Sequence, residues 1–500
     1  MRYKLVGDFS YVELRHVLSE AKPPELPLRF FMKASGGGDL EIKLEDADHS
    51  VFGRKLPMAD QYREWTEFVV YTNHIEHWWG GDRSFSGLKE LAFAISGRGE
   101  GVVWFEQIGL AVPGTPSSLA PAGVRFDPDR ELPGIGFRQR RAAEMISEDP
   151  LVLEWLKQVQ DATTPEQQLL GSMENQQLQT FNNALAANAF IVKGEKGRAE
   201  RILDFFAAAT DRANTDPRLQ NFFLNGEARG FFQYATRKIE DGRVVYRGEE
   251  MSDRWMGDLF WLLFAYHHYD RAFGPGRYEE IKGLLHDLLV SWYKESPDGP
   301  GGFVQHGWRR GDRQLHEAAG HHEGNVDAYA YFKLIGDVER AEKIRAWLEA
   351  SLGGYNLPLD LYTWRVLAYG PEAAELMNVP DYDLRFRKTI KVNGRDVAGV
   401  WHGPDANITD NIWIDGVGHM ACGYFAVGDI ERGNFYANQL DALLMDIEIN
   451  GVATRGLPYT VNRKGGYDWV ELDKGFVSAA AWYIFAKNKS NPMTLERRHE

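Results

Sequence analysis

Residues 321–337 read HHEGNVDAYAYFKLIGD, and residues 338–351 read VERAEKIRAWLEAS. After its polar opening the first stretch is apolar and aromatic on all sides. The second carries one apolar stripe among charges, and a Gly turn joins them. A helix apolar all round calls for burial on every side, and a one-sided helix can cover it. The same unit recurs along the chain. Its turns are KGEKGRAERI (193–202), FGPGRYEEI (273–281), IGDVERAEKI (335–344), YGPEAAEL (369–376) and VGDIERGNF (427–435). Apolar helices are predicted before them at 175–193, 253–271, 322–335, 358–369 and 411–427, with a sixth at 473–487. One-sided helices are predicted after them at 196–208, 276–293, 338–351, 371–378 and 429–446. The sixth outer partner is 149–161, donated from before the first inner helix. Loops before inner helices are long (209–252, 294–321, 386–410, 447–472), with only 352–357 short, and loops after them are a few residues. An open solenoid would have similar loops at both ends. The inequality predicts a double ring of helices, an (α/α)6 toroid over 143–500, with function on the loop-rich face.

Upstream the period changes from 3.6 to 2. LPLRFFMKA (26–34), DLEIKLEDA (39–47), WTEFVVYTN (65–73), LKELAFAIS (88–96) and GVVWFEQIGL (101–110) are separated by Gly, Asp or Pro clusters. Such runs predict a β-sandwich over 1–112. Trp78 and Trp79, before Gly80 and Gly81, are either an exposed sugar platform or an edge plug. Residues 113–142, rich in Pro and Gly, read as a linker. The fold class is therefore multidomain β plus α.

Composition narrows the partners. Five hundred residues with 44% hydrophobic and 26% charged content make a globular chain of two or three domains. A net charge of −15 would be repelled by a phosphate backbone, which excludes nucleic acid. No apolar run approaches about 18 residues, so no helix spans a membrane. The one cysteine, Cys422, excludes an internal disulfide framework and Cys-rich metal sites. HHEGN is not HExxH, GPGRYEE lacks the P-loop Lys, and no GxSxG occurs, so zinc, nucleotide and serine-nucleophile chemistry find no support. No metal and no cofactor is expected. The opening MRYKLVGDFSYVELRHV starts inside a strand pattern without an apolar leader. It reads as a trimmed N-terminus, which favours a secreted or periplasmic protein over a cytoplasmic one.

The chemistry-bearing residues cluster where inner helices begin. They are Glu174 and Asn183; Trp255 and Asp258; His322, Glu323, Asn325 and Asp327; Asp360 and Trp364; Trp413 and Asp415; Asp468, Trp469 and Glu471. If the helices are parallel in a ring, all converge on one funnel. Asp253, Asp410 and Asp473 read as ordinary N-caps. Asp258, Asp327 and Asp415 read as lying deeper in apolar helices, where a carboxylate needs a partner or a wet cavity.

Two resemblances add to this reading. LRFFMKASGGGDLEIKLEDADHSVFG (28–53), WTEFVVYTNHIEHWWGG (65–81) and LKELAFAISGRGEGVVWFEQIGL (88–110) resemble the jelly-roll, galactose-binding-like modules attached to glycoside hydrolases. That resemblance implies a carbohydrate-binding module with a structural calcium, for which Glu13 and Glu106 are candidate ligands. HHEGNVDAYAYFKLIGD, LDLYTWRVLAYG (359–370), IWIDGVGHMACGYFAVGD (412–429) and GLPYTVNRKGGYDWVELDKGFVSAAAWYIFA (456–486) resemble the six-hairpin glycosidase superfamily. It implies a glycoside hydrolase acting on a poly- or oligosaccharide. An inverting mechanism needs a protonated carboxyl at the leaving oxygen and a carboxylate that activates water. Glu323, with His322 and Asn325 nearby, is the expected proton donor. Asp415 is the expected base, with Asp327 and Glu174 in reserve. The remaining residues named above, with Tyr459, are expected to bind substrate. A polysaccharide lyase on the same ring is the alternative, using Tyr459, Arg455, His402, His306 or Arg309. A non-catalytic carbohydrate-binding protein is another.

Overall fold

The computed structural model describes residues 2–5, 11–22, 28–57, 65–70, 75–81, 85–96, 99–110, 147–166, 169–213, 222–248, 252–297, 299–309, 314–315, 320–352, 357–383, 385–404 and 408–494. The expected linker 113–142 lies outside them. The chain divides into two units. One is Met1–Arg141 with Asn378–Arg387 and Asp405–Thr409; the other is Ala142–Met377 with Lys388–Pro404 and Asp410–Glu500.

The first unit is built of strands: β1 (Arg2–Leu5), β2 (Tyr11–Lys22), β3 (Leu28–Gly36), β4 (Asp39–Glu45), β5 (Val51–Pro57), β6 (Thr66–Val70), β7 (Glu76–Trp79), β8 (Leu88–Ser96) and β9 (Gly99–Leu110). They form two antiparallel sheets, ordered β1-β9-β3-β6 and β2-β8-β4-β5-β7. Side chains alternate across each sheet, as period two requires. Leu40, Ile42 and Leu44 of β4 are buried while their neighbours are half-buried. The inward faces share one core, in which Phe30 of β3 meets Phe93 of β8 edge-on at 4.8 Å.

The second unit is helical. Its helices are α1 (Pro150–Thr163), α2 (Thr180–Val192), α3 (Lys196–Ala208), α4 (Met256–Phe273), α5 (Glu279–Ser291), α6 (His322–Leu334), α7 (Val338–Ser351) and α8 (Leu359–Tyr369). After the short α9 (Asn378–Tyr382) of the first unit come α10 (Ile414–Val427), α11 (Ile430–Asp441) and α12 (Val477–Lys487). A 3-10 turn, Pro371–Met377, stands where the fourth outer helix, 371–378, was expected. The even-numbered helices α2, α4, α6, α8, α10 and α12 pack each on the next, and α12 packs back on α2. They are buried almost throughout. The others cover them from outside, and α1 covers α12.

The inner helices α4, α10 and α12 begin three or four residues later than the sequence pattern indicated. Strand pairing of the incoming loops is the reason for α4 and α10; before α12 the loop is tied by the Phe476 N–H donating to the Leu457 carbonyl at 2.7 Å. Arg254–Trp255 pairs with Gly307–Trp308, and Trp413 bridges to Thr460. The first free N–H groups of the inner helices go to loop carbonyls: Thr180 to Gln233 at 2.9 Å, Met256 to His306 at 3.0 Å, Leu359 to His402 at 2.8 Å, Ile414 to Tyr459 at 3.2 Å and Val477 to Ser172 at 3.0 Å. The expected N-caps therefore do other work. Asp253 accepts from the Trp255 indole at 2.8 Å, and Asp410 pairs with Arg463 at 2.6 Å.

Two asparagines tie loop to helix in the same way. Asn325 accepts from the Val304 N–H at 2.8 Å and donates to the carbonyls of Val304 and His321 at 3.0 and 2.9 Å. Asn183 does the same with Leu170 and Gln179. Both amides are consumed in structure, so neither is free to orient an acid or meet a substrate as the sequence suggested. Asn325→Ala should destabilise the fold by about 2–4 kcal/mol, at roughly 1 kcal/mol per bond plus lost packing. Denaturant midpoints check this; an unchanged midpoint would show that the loop is held by other means.

Candidate active site

Equivalent steps of the six inner helices face one another. The second residue of each is Phe181, Gly257, Glu323, Asp360, Asp415 and Ser478, in ring order. Three consecutive helices thus present a carboxyl at the same step, and Ser478 on the next donates its hydroxyl to Asp415. Side chains four apart share a helix face. The sixth residues, one turn of about 5.4 Å further in, are Leu185, Trp261, Asp327, Trp364, His419 and Trp482. Five of these six form a connected inner layer. Trp261 lies 5.8 Å from Trp364 and 6.2 Å from Trp482; His419 lies 5.7 Å from Trp364 and 4.2 Å from Trp482. The Trp261 indole N–H faces Asp327 without closing a hydrogen bond of ordinary geometry.

The carboxyls are held away from water with little opposing charge. Burial raises Glu323 to about 7. Burial also raises Asp415 to about 7; the Ser478 hydrogen bond opposes the shift and the charge of Asp360 adds to it. Burial lifts Asp360 well above the carboxylate range, and the charge of Glu323 adds to this. Asp327 is lifted by burial, then by Glu323, with Asp258 and Asp360 contributing. Asp258 is lifted by burial alone. The five acids are linked in a chain that runs from Asp258 to Asp415, and each is shifted towards its protonated form.

A cavity of about 170 Å³ opens beside Glu323. Phe181, Gly257, Asp258, Glu323 and Gly324 surround its upper part, and Trp261, Asp327 and Trp364 reach it from deeper in the helices. Loop residues Gln179, Gln233, Trp255, His306 and His321 complete it. The imidazoles of His306 and His321 stack at 4.6 Å, and Trp255 lies 4.8 Å from His306. His321 caps α6: its Nδ1 accepts from the Gly324 N–H at 3.3 Å, and its Nε2 lies 3.7 Å from Glu323. On the other side of the carboxyl row, Tyr459 lies between Trp413, Tyr467 and Trp469 at 6.2, 5.7 and 5.0 Å, and Trp469 is 44% exposed.

The cavity and the carboxyl row bring together Trp255, Asp258, Glu323, Asp327, Asp360, Trp364 and Asp415 from the expected set, with Trp413, Tyr459 and Trp469 beside them. Others stand apart. Glu174 accepts from the Trp155 indole at 3.0 Å and the Gly475 N–H at 3.1 Å, so its carboxylate fastens α1 to the segment before α12. Asp468 and Glu471 are exposed. His322 turns outward, stacked on Trp347 at 5.0 Å and 3.1 Å from the Ser351 hydroxyl. Its expected place beside Glu323 belongs to His321, because the N-cap faces the cavity and the first helical residue does not. Asp258 and Asp415 occupy the first helical turn, not the deeper positions expected; Asp327 alone is one turn in. Sequence reasoning missed Phe181, Trp261, His321 and His419, which the i, i+4 spacing from the aligned helix starts would have indicated. In the first unit Trp78 lies flat against Gly53, where a Cβ would come within 2.7 Å of its ring, and Trp79 is 52% exposed. Glu13 is engaged by Arg15 and Lys43, and Glu106 stands on the other sheet, so the two do not converge on a calcium. Among the described residues no group of three or more His, Cys, Asp or Glu is placed to hold a metal ion.

The raised carboxyls tie stability to pH. Glu323 moves from an ordinary 4.5 to about 7 on folding. Between those values the folded chain keeps a proton that the unfolded chain has released. Its contribution is therefore fully present below pH 4.5 and lost as pH rises towards 7. Glu323→Gln abolishes this titration. Measured by denaturant unfolding, the variant should gain on the native protein as pH rises from about 4 to about 7.5. A difference that stays constant over that range would show that Glu323 titrates normally.

No family model matches the sequence, and no curated protein matches it. Solved structures do show similarity. A glycosidase matches at 13% identity and a TM-score of 0.46, over 68% of this chain and 94% of its own. A novel alpha-amylase from Clostridium perfringens matches at 12% identity and a TM-score of 0.46, over 69% and 98%. A family 76 glycoside hydrolase from a bovine Bacteroides thetaiotaomicron strain matches at 9% identity and a TM-score of 0.40, over 97% of each chain.

Proposed function

We propose that the protein is a glycoside hydrolase acting on a poly- or oligosaccharide with inversion. In this reading the helices form an (α/α)6 toroid, and the strands of residues 1–112 form a jelly-roll carbohydrate-binding module. The observation that carries it is the row Glu323, Asp360, Asp415 at the second step of three consecutive inner helices, beside a cavity walled by aromatic rings. Glu323, held near 7 by burial, gives its proton to the glycosidic oxygen as the C1–O bond breaks. Asp415 takes a proton from the water that forms the new C1–O bond on the opposite face. The two acids sit on second-neighbour helices, and neighbouring helix axes are about 8–10 Å apart. Side chains aimed at the ring axis shorten that span towards the roughly 6.5–9.5 Å that an intervening water requires. Asp327, directly below Glu323, is the reserve base.

A lyase is less well supported. Tyr459 would have to act as base, but burial and then the charge of Asp415 raise its hydroxyl far above the ordinary tyrosine range. The acids of the row also disfavour an anionic uronan.

A reducing-end assay over neutral glucans, mannans, xylans and acidic polysaccharides should find turnover on a neutral substrate. Glu323→Gln and Asp415→Asn should each lower kcat/KM by about 10²–10⁴-fold, with circular dichroism unchanged. Near-normal turnover in both variants would overturn the assignment. An unsaturated product absorbing in the ultraviolet would establish the lyase, and saccharide binding without turnover a non-catalytic protein.

A further inference from the structure

The cavity is one-sided. It lies among α2, α4, α6 and Trp364 of α8 and reaches inward from the step of Glu323 to the step of Trp261 and Asp327, beyond which no described residue lines it. Asp360 and Asp415, on the other side of Glu323 in the ring, do not line it. At about 170 Å³ it is well below the roughly 300–1,000 Å³ of pockets that enclose larger ligands. It has room for one sugar ring and no exit at its inner end.

Two further observations indicate what fills it. Asp258 Oδ2, Asp327 Oδ1 and Trp364 Nε1 belong to cavity-lining side chains more than nine-tenths buried, and none has a hydrogen-bond partner among the described residues. Buried polar groups ordinarily have partners. Here two acceptors and a donor line one cavity, Asp258 in the first turn and Asp327 and Trp364 one turn deeper, a set that suits the hydroxyls of a neutral polyol. Gly257 is the second observation. It is the only glycine among the six second-step residues. A Cβ there would stand 3.4 Å from Asp327 Oδ2 and 3.8 Å from the Gly324 Cα. Those are ordinary contacts, so alanine fits, but its methyl would come between Asp327 and the cavity.

We propose that the cavity is a blind pocket for the terminal unit of a neutral saccharide chain, with its depth set by Gly257, so that the enzyme works from a chain end. This rests on the hydrolase reading above. The scissile bond then lies over Glu323 and Asp360. The penultimate unit lies towards Tyr459 and the exposed face of Trp469.

The test uses the full chain. On oligosaccharides of four to six units of whichever sugar proves active, the native protein should release single units from the first time points. A substrate blocked at the recognised end should be at least 100-fold slower. Gly257→Ala should lower kcat/KM on such oligosaccharides at least tenfold with an unchanged or higher Tm, because alanine is the better helix former. Early release of mid-length fragments, or cleavage of end-blocked chains at the native rate, would overturn the proposal. Direct binding separates this from a failure of the hydrolase reading. Saturation-transfer NMR with glucose, mannose, galactose and xylose should show at least one free monosaccharide bound by the native protein and lost in Gly257→Ala. Such binding without hydrolysis would support the pocket while overturning the hydrolase. No binding of any of the four, or equal binding by both proteins, would overturn the pocket.

Discussion

Five of the six inner helix starts are completed by backbone carbonyls and the sixth, α6, by the His321 imidazole, and the site depends on that. An α-helix starts with N–H groups that have no partner within it. In most helices a Ser, Thr, Asp or Asn side chain takes one of them. Around this ring the carbonyls of Gln233, His306, His402, Tyr459 and Ser172 do so. The long loops must therefore return to the helix ends, which is why they pair as short strands. It also leaves the first-turn acids out of capping. Glu323, Asp360 and Asp415 remain near the positive ends of their helices, which favours their charged forms, while burial opposes it. The balance keeps Glu323 and Asp415 near 7 rather than at either extreme.

The inner layer limits how that balance can be relieved. Water would let the acids ionise independently, but Trp261, Trp364 and Trp482 close the ring one turn below, and His419 is enclosed by them and Trp413. Burial lowers His419 to about 3, so it supplies no positive charge to the row above. Arginine and lysine are placed elsewhere: Arg455 on Asp149 and Asp446, Lys487 on Asp441, Arg237 on Glu166. Among the described residues no Arg or Lys pairs with the row, so burial and mutual repulsion both push its acids towards their protonated forms.

Much of the helical architecture was legible because it depends on period and punctuation. The Gly turns at 194, 274, 336, 370 and 428 have the positive φ that ends a helix, and each marks an inner–outer junction. What could not be read was the exact start of each inner helix. The strand pairings that delay α4 and α10 join residues tens of positions apart, such as Arg254 with Trp308 and Trp413 with Thr460. Local pattern carries no trace of them. A shift of three residues rotates a helix face by most of a turn, so Asp258 and Asp415 seemed deep when they are in the first turn. His322 was chosen over His321 although α6 starts where expected, because the N-cap rather than the first helical residue faces the cavity. Glu174 was misread differently: it stands near a helix start in sequence but has φ of 60°, in a turn that carries its carboxylate to Trp155.

Once the six starts are aligned, the asymmetry of the ring becomes its most informative property. Acids occupy the second step on α6, α8 and α10; a hydroxyl follows on α12, an aromatic ring on α2 and no side chain on α4. Six-fold packing alone has no use for such an order, since any small or apolar residue would close the layer. Three like charges in sequence are costly, and the gap at Gly257 beside them forgoes contacts that a methyl group would make. A ring built for stability alone would have filled the gap and dispersed the charge. Here space lies next to shared protons, with aromatic rings on both sides. That is the combination required to hold a polar ring while a proton is delivered to one of its oxygens.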